Sequence, residues 1–166
     1  MQSVPGVTFR LLGTRKSEAD VLGCFPRALR GCIEVIPHYS ADELPELLAS
    51  CSAGVFPSYV EGFGLGVLEM LAASIPVIAY NAPGPPMMLP PDSLVNCGDV
   101  TALTNKVIEL LRDGDALSTA RTWARQRSED FCWERIAQQT SKIYLERWQL
   151  QQRTVAVAGL ESRKFQ

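Results

Sequence analysis

The 166 residues are 46% hydrophobic and 20% charged, a balance that supports one packed core and excludes a disordered chain. A net charge of −2 leaves no positive field for a nucleic-acid backbone or an anionic bilayer. No apolar stretch reaches the length that spans a membrane.

Apolar, β-branched runs at residues 7–12, 33–36, 53–56 and 76–80, with a short one at 93–96, predict strands. Helical spacing at residues 17–30, 40–50 and 65–73 separates them. Strand and helix therefore alternate, which predicts an α/β fold, a parallel sheet flanked by helices with right-handed crossovers. Ser40, with Glu43 three positions later, has the pattern of a capping box, and Leu44, Leu47 and Leu48 share a face beyond it. After residue 96 the pattern is helical only, at 100–112, 117–127 and 133–150, with Leu103, Val107, Leu110 and Leu111 inward and Asp99 and Gly114 as punctuation. Residues 1–150 read as one domain and residues 151–166 as a weakly ordered tail.

Several features take plain structural readings. Arg121, Arg125 and Arg127 read as a solvated helix face, and Trp123, Trp133 and Trp148 as residues that pack helices. The five cysteines stand singly and His38 is the one histidine, so reduced thiols and no metal site are expected. Residues 1–8 lack a basic start followed by an apolar run, and a cytoplasmic location is the expectation.

In an open parallel sheet, ligands bind outside the carboxyl ends of the strands. There the strand ending at Phe56 runs through Glu61, Gly62, Phe63, Gly64, Leu65 and Gly66 into an apolar helix. Such a turn offers phosphate its unblocked amides and the positive end of a helix dipole. The glycine spacing does not fit the dinucleotide fingerprint, and no Gly-Lys-Ser/Thr follows. Glu61 and Glu69 frame the turn. Either the pair grips a polyhydroxylated ligand, or Glu61 caps the helix and Glu69 is solvated on its outer face.

The run Phe56-Pro57-Ser58-Tyr59-Val60-Glu61-Gly62-Phe63-Gly64-Leu65, with Glu69-Met70-Leu71-Ala72 and the strand Pro76-Val77-Ile78-Ala79, resembles the donor-site signature of GT-B glycosyltransferases, especially retaining family 4. The resemblance extends more weakly over residues 7–112, most of that family's C-terminal Rossmann-like domain. It implies transfer of a glycosyl group from a nucleoside-diphosphate sugar to an acceptor held by an N-terminal domain, with no further cofactor. Glu61 would contact the donor sugar and act catalytically, Glu69 would hold the ribose hydroxyls, and the backbone of Phe63, Gly64 and Leu65 would face the diphosphate. The base would lie by Ile36, Pro37 and His38, although a single loop histidine reads on its own as a surface residue.

Family members precede this region with a strand and loop carrying an arginine and a lysine, a segment that would fall before Met1. Arg15 and Lys16 read as solvated. Methionines, Met87 and Met88, stand where relatives carry an acidic residue after paired glycines, and Ser74 stands where they carry glycine. A non-catalytic scaffold module or a sugar-nucleotide epimerase-like domain are the competing expectations. The helix over 133–148 resembles the closing helix of two-domain members, and its face is a candidate for self-association.

Overall fold

The structure is a computed structural model that describes residues 4–162, with side chains described through Gln152. The described residues divide after Arg127 into two compact units.

The first unit holds strands β1 (Phe9–Leu12), β2 (Ile33–Ile36), β3 (Gly54–Phe56), β4 (Val77–Tyr80) and β5 (Leu94–Val95), with helices α1 (Glu18–Gly23), α2 (Leu44–Ala49), α3 (Leu65–Ala72), α4 (Val100–Arg112) and α5 (Gly114–Ser128). All strand pairs are parallel, β1 with β2, β3 with β4 and β4 with β5. They form two sheets, ordered β1-β2 and β3-β4-β5. Each expected strand is present, shortened by up to two residues at an end.

β4 is buried along its whole length, as a strand covered by helices on both faces must be. Ile78 and Tyr80 pack with Val95 and with Leu103, Val107 and Leu110 of α4. Val77 shares the other face with Met70 of α3, both meeting the backbone at Gly54. On α3 itself, Val67 and Leu71 are fully buried.

The expected helix over residues 17–30 is broken. α1 stops at Gly23 and a 3-10 turn occupies Arg27–Cys32. Pro26 lies between them; it lacks an N–H and disfavours helical geometry in the residue before it. Ser40 fulfils half of the capping box. Its N–H donates to the Glu43 carboxylate at 2.7 Å, but its hydroxyl also donates to that carboxylate, at 2.9 Å, leaving α2 to begin at Leu44. Both bonds hold the Glu43 carboxyl below its ordinary pKa. Asp99 caps α4 through the Ala102 amide at 2.8 Å.

Arg125 is exposed as expected, but Arg121 and Arg127 are half-buried, and the three are not simply a solvated face. Their guanidinium groups donate to the carbonyls of Cys51 (3.2 Å), Ala72 (2.8 Å), and Met87 (2.6 Å) and Met88 (3.2 Å) respectively. A long planar donor reaches carbonyls that the loops and the end of α3 leave without backbone partners, and helical spacing alone does not reveal such targets.

The second unit contains a 3-10 turn, Glu129–Phe131, and helix α6 (Trp133–Ser162). Asp130 pairs with Arg135 at 2.7 Å. Trp133 and Trp148 are 83% and 59% exposed, unlike the helix-packing residues expected; among the described residues of this unit only the short turn accompanies α6. The tail expected over residues 151–166 overlaps the end of α6, and residues 163–166 lie outside the described residues.

α3 ends in a left-handed cap at Ser74, φ 61°. The Ser74 amide bonds to the Leu71 carbonyl and the Ile75 amide to the Met70 carbonyl, both at 2.9 Å, the pair of bonds that closes a helix around a left-handed residue. That conformation costs a side-chain-bearing residue about 1–2 kcal/mol, more than the roughly 0.5–1 kcal/mol of extra chain entropy glycine loses on folding. Ser74→Gly is therefore expected to stabilise the protein by about 0.5–1 kcal/mol, read as a higher urea midpoint at unchanged slope; a lower midpoint would show that the serine is favoured there.

Candidate functional site

The site grows from the carboxyl end of β3. After Phe56 the chain turns through Ser58, whose hydroxyl donates to the Val60 carbonyl at 3.2 Å. Tyr59 then packs edge-on against Tyr80, ring centroids 5.3 Å apart and planes at 67°. Burial, reinforced by Tyr59 and by Cys97 and Asp99, raises the Tyr80 phenol above its ordinary pKa, so it stays neutral. This aromatic pair ties the turn to the end of β4.

Glu61 and Phe63 are half-buried, Gly62 is exposed and Gly64 is buried. Gly64 stands at the start of α3 with φ 91° and ψ 51°, a left-handed geometry that glycine adopts without steric cost, and the first amides of α3 follow it. α3 has no side-chain cap and no acidic residue in its first turn. Neither a side-chain cap nor a first-turn carboxylate thus offsets the positive end of its dipole, a condition that favours an anion.

A second loop supports the turn from beneath. Gly84, φ 107°, passes so close that a Cβ there would lie 2.6 Å from the Phe63 carbonyl oxygen and 3.4 Å from the Glu61 Cβ. The buried Met88 and Pro85 underlie Gly64, and Met88 fills space that a charged residue could not occupy without a partner. Met87, by contrast, is 60% exposed. Sequence reasoning flagged this loop only as a departure; Gly84 and Met88 prove to be its supporting residues. An isolated glycine before two prolines was the available signal.

Glu61, Gly62, Phe63, Gly64 and Leu65 are thus gathered at one edge, with Glu61 beside Gly84. Glu69 is exposed, one turn beyond Leu65 on the same outer face of α3. It lines a cavity of about 950 Å³ together with Gly66, Pro57 and Tyr39, and Glu61 is not part of that lining. Neither carboxylate has a hydrogen-bond or ion-pair partner among the described residues. His38 is exposed at the end of β2, where the paired loops continue through Gly13 to Ile36 (2.8 Å) and Arg15 to Pro37 (3.1 Å). Its neighbour Tyr39, rather than His38 itself, reaches the cavity that Glu69 lines.

Comparison with known proteins bears on the family and the fold. The sequence pattern of the family described as glycosyl transferases group 1 matches residues 26–127. The chain is 33% identical to O-antigen chain mannosyltransferase B of Escherichia coli, over 81% of this chain and 36% of that protein. It is 36% identical to an MMP α-(1→4)-mannosyltransferase of Mycolicibacterium hassiacum, over 63% and 27%. The crystal structure of Anabaena HepE in complex with UDP shares the fold at a TM-score of 0.75 and 23% identity, over 87% of this chain and 42% of that one. The chain thus spans about a third of the length of the curated relatives it matches.

The close approach at Gly84 can be tested directly. Gly84→Ala forces a side chain into a glycine-only conformation and against backbone, and is expected to cost about 1–3 kcal/mol of stability. Gly62→Ala, where a Cβ meets nothing within 4 Å, should stay within about 0.5 kcal/mol. Equal urea midpoints for the two variants would show that the second loop does not constrain the turn.

Proposed function

The chain belongs to the glycosyl transferases group 1 family, and from that membership we propose that it is the donor-binding half of a retaining glycosyltransferase of GT-B type. Its ligand is a nucleoside-diphosphate sugar, and the acceptor is held by a second domain of the complete enzyme. The observation that carries this reading is the start of α3, a left-handed Gly64 leading into an uncapped helix with no first-turn carboxylate, at the carboxyl end of a parallel strand.

In this reading the diphosphate rests on the amides of Phe63, Gly64 and Leu65. As the glycosyl bond breaks, negative charge grows on the leaving phosphate, and fixed amides with a helix N-terminus stabilise it without having to reorient. The Gly84 contact and the Met88 floor hold those amides in place beforehand. Glu61, half-buried beside Gly84, is assigned to the donor sugar and is the catalytic candidate, its free carboxylate available to sugar hydroxyls. Glu69, exposed and unpartnered, is assigned to the ribose hydroxyls, and the loop at Ile36, Pro37 and His38 to the base.

Because Glu69 is exposed, its removal should leave the fold intact. A charged hydrogen bond is worth about 1.5–3 kcal/mol, so Glu69→Ala is expected to weaken binding about ten- to a hundredfold in calorimetric titrations with uridine, guanosine and adenosine diphosphate sugars. Equal affinity in both proteins would remove Glu69 from the ribose role, and a lowered melting temperature would make it structural instead.

A further inference from the structure

Residues 57–64, between β3 and α3, are neither helix nor strand, so contacts with neighbouring loops must fix them. Two such contacts bracket Glu61. On its far side the Phe63 carbonyl lies against Gly84, and Met88 underlies Gly64. On its near side stands Tyr59, whose ring packs edge-on against Tyr80 at the exit of β4. The Tyr59 phenol oxygen also reaches the loop after β5, where a Cβ on Gly98 would lie 3.3 Å from it. Gly98 has φ 83°, a conformation that favours glycine, and the next residue, Asp99, caps α4. One side chain therefore joins the glycine turn to two neighbouring strand exits.

Exposure separates this tyrosine from its partner. Tyr80 is 3% exposed and belongs to the core, whereas Tyr59 is 62% exposed and buries little apolar surface for stability. Gly62, next to Glu61, is open, since a Cβ there would meet nothing within 4 Å. Glu61 is thus carried on a short irregular segment pinned at either end.

We propose that Tyr59 is the positioning residue of Glu61, setting where that carboxylate stands for the donor sugar while Gly84 and Met88 separately set the amides of residues 63–65. This rests on the assignment of Glu61 to the sugar and of those amides to the diphosphate. The site is then held in two independent parts. A carboxylate moved from its place loses the sugar and leaves the diphosphate contacts intact, and a shift of about 1 Å can cost roughly a hundredfold where alignment matters. Within Tyr59, the ring meets Tyr80 and the oxygen meets Gly98. Tyr59→Phe keeps the first contact and loses the second, and Tyr59→Ala loses both.

The experiment titrates the full chain and the two variants by calorimetry with UDP, GDP and ADP, and with UDP-glucose, GDP-mannose and ADP-glucose. Amide hydrogen exchange is followed in parallel without ligand. For Tyr59→Ala the result expected is nucleotide-sugar binding weakened about tenfold or more, with unchanged affinity for the matching nucleoside diphosphate. Exchange should quicken at residues 60–62 and stay the same at 77–80. Tyr59→Phe should fall between the other two proteins. Equal losses for the sugar and the diphosphate would make Tyr59 a general structural residue and overturn the proposal. Unchanged exchange at residues 60–62 overturns it too, whatever the ligands do. Failure of the unmodified chain to bind any of these ligands overturns the donor reading instead, and the exchange result then decides whether Tyr59 holds the segment.

Discussion

The fold depends on burying β4 from both faces. A strand so placed is apolar at every position, and its neighbours must run parallel to it because their connections travel through the covering helices. From that constraint come the layer order, with α3 on one side and α4 on the other, and the convergence of every functional loop at one edge. Tyr80, at the exit of β4, carries the constraint into the site by holding Tyr59 and with it the beginning of the glycine turn.

The turn itself is made by backbone rather than by charged side chains. Gly64 sets the direction of the helix amides, Gly84 allows a second loop to come against the Phe63 carbonyl, and Met88 closes the space beneath. For the proposed diphosphate site this is an economical arrangement, since the donors would be peptide groups whose positions are fixed by packing. The two carboxylates occupy different surroundings, Glu61 half-buried against the supporting loop and Glu69 exposed on α3, where it lines the cavity.

The strands were legible in the sequence because buried parallel strands announce themselves as short apolar runs, and α4 because an amphipathic stripe and Asp99 mark its face and start. The break at Pro26 is written in the sequence too, since a proline lacking an N–H outweighs the helical spacing around it. The arginine contacts of α5 were not, because a helical pattern reports which face a residue occupies and nothing about carbonyls contributed by loops up to 70 positions away. Nor was the role of Gly84, whose contact joins two loops that only the folded sheet brings together. Glu69 shows the limit most clearly: an apolar neighbourhood in sequence is compatible with an exposed position when the helix is covered on one side only.

Arg127 binds the carbonyls of Met87 and Met88 through separate nitrogens of its guanidinium, and Met88 lies directly under Gly64. Mutational tolerance on the outer layer of this unit is accordingly uneven. A lysine at that position keeps the charge but offers a single flexible ammonium in place of a rigid fork, so a change that looks conservative would loosen the floor of the glycine turn. Variation among related chains at this helix should then track variation in the loop it clamps, an epistatic pairing between surface and site.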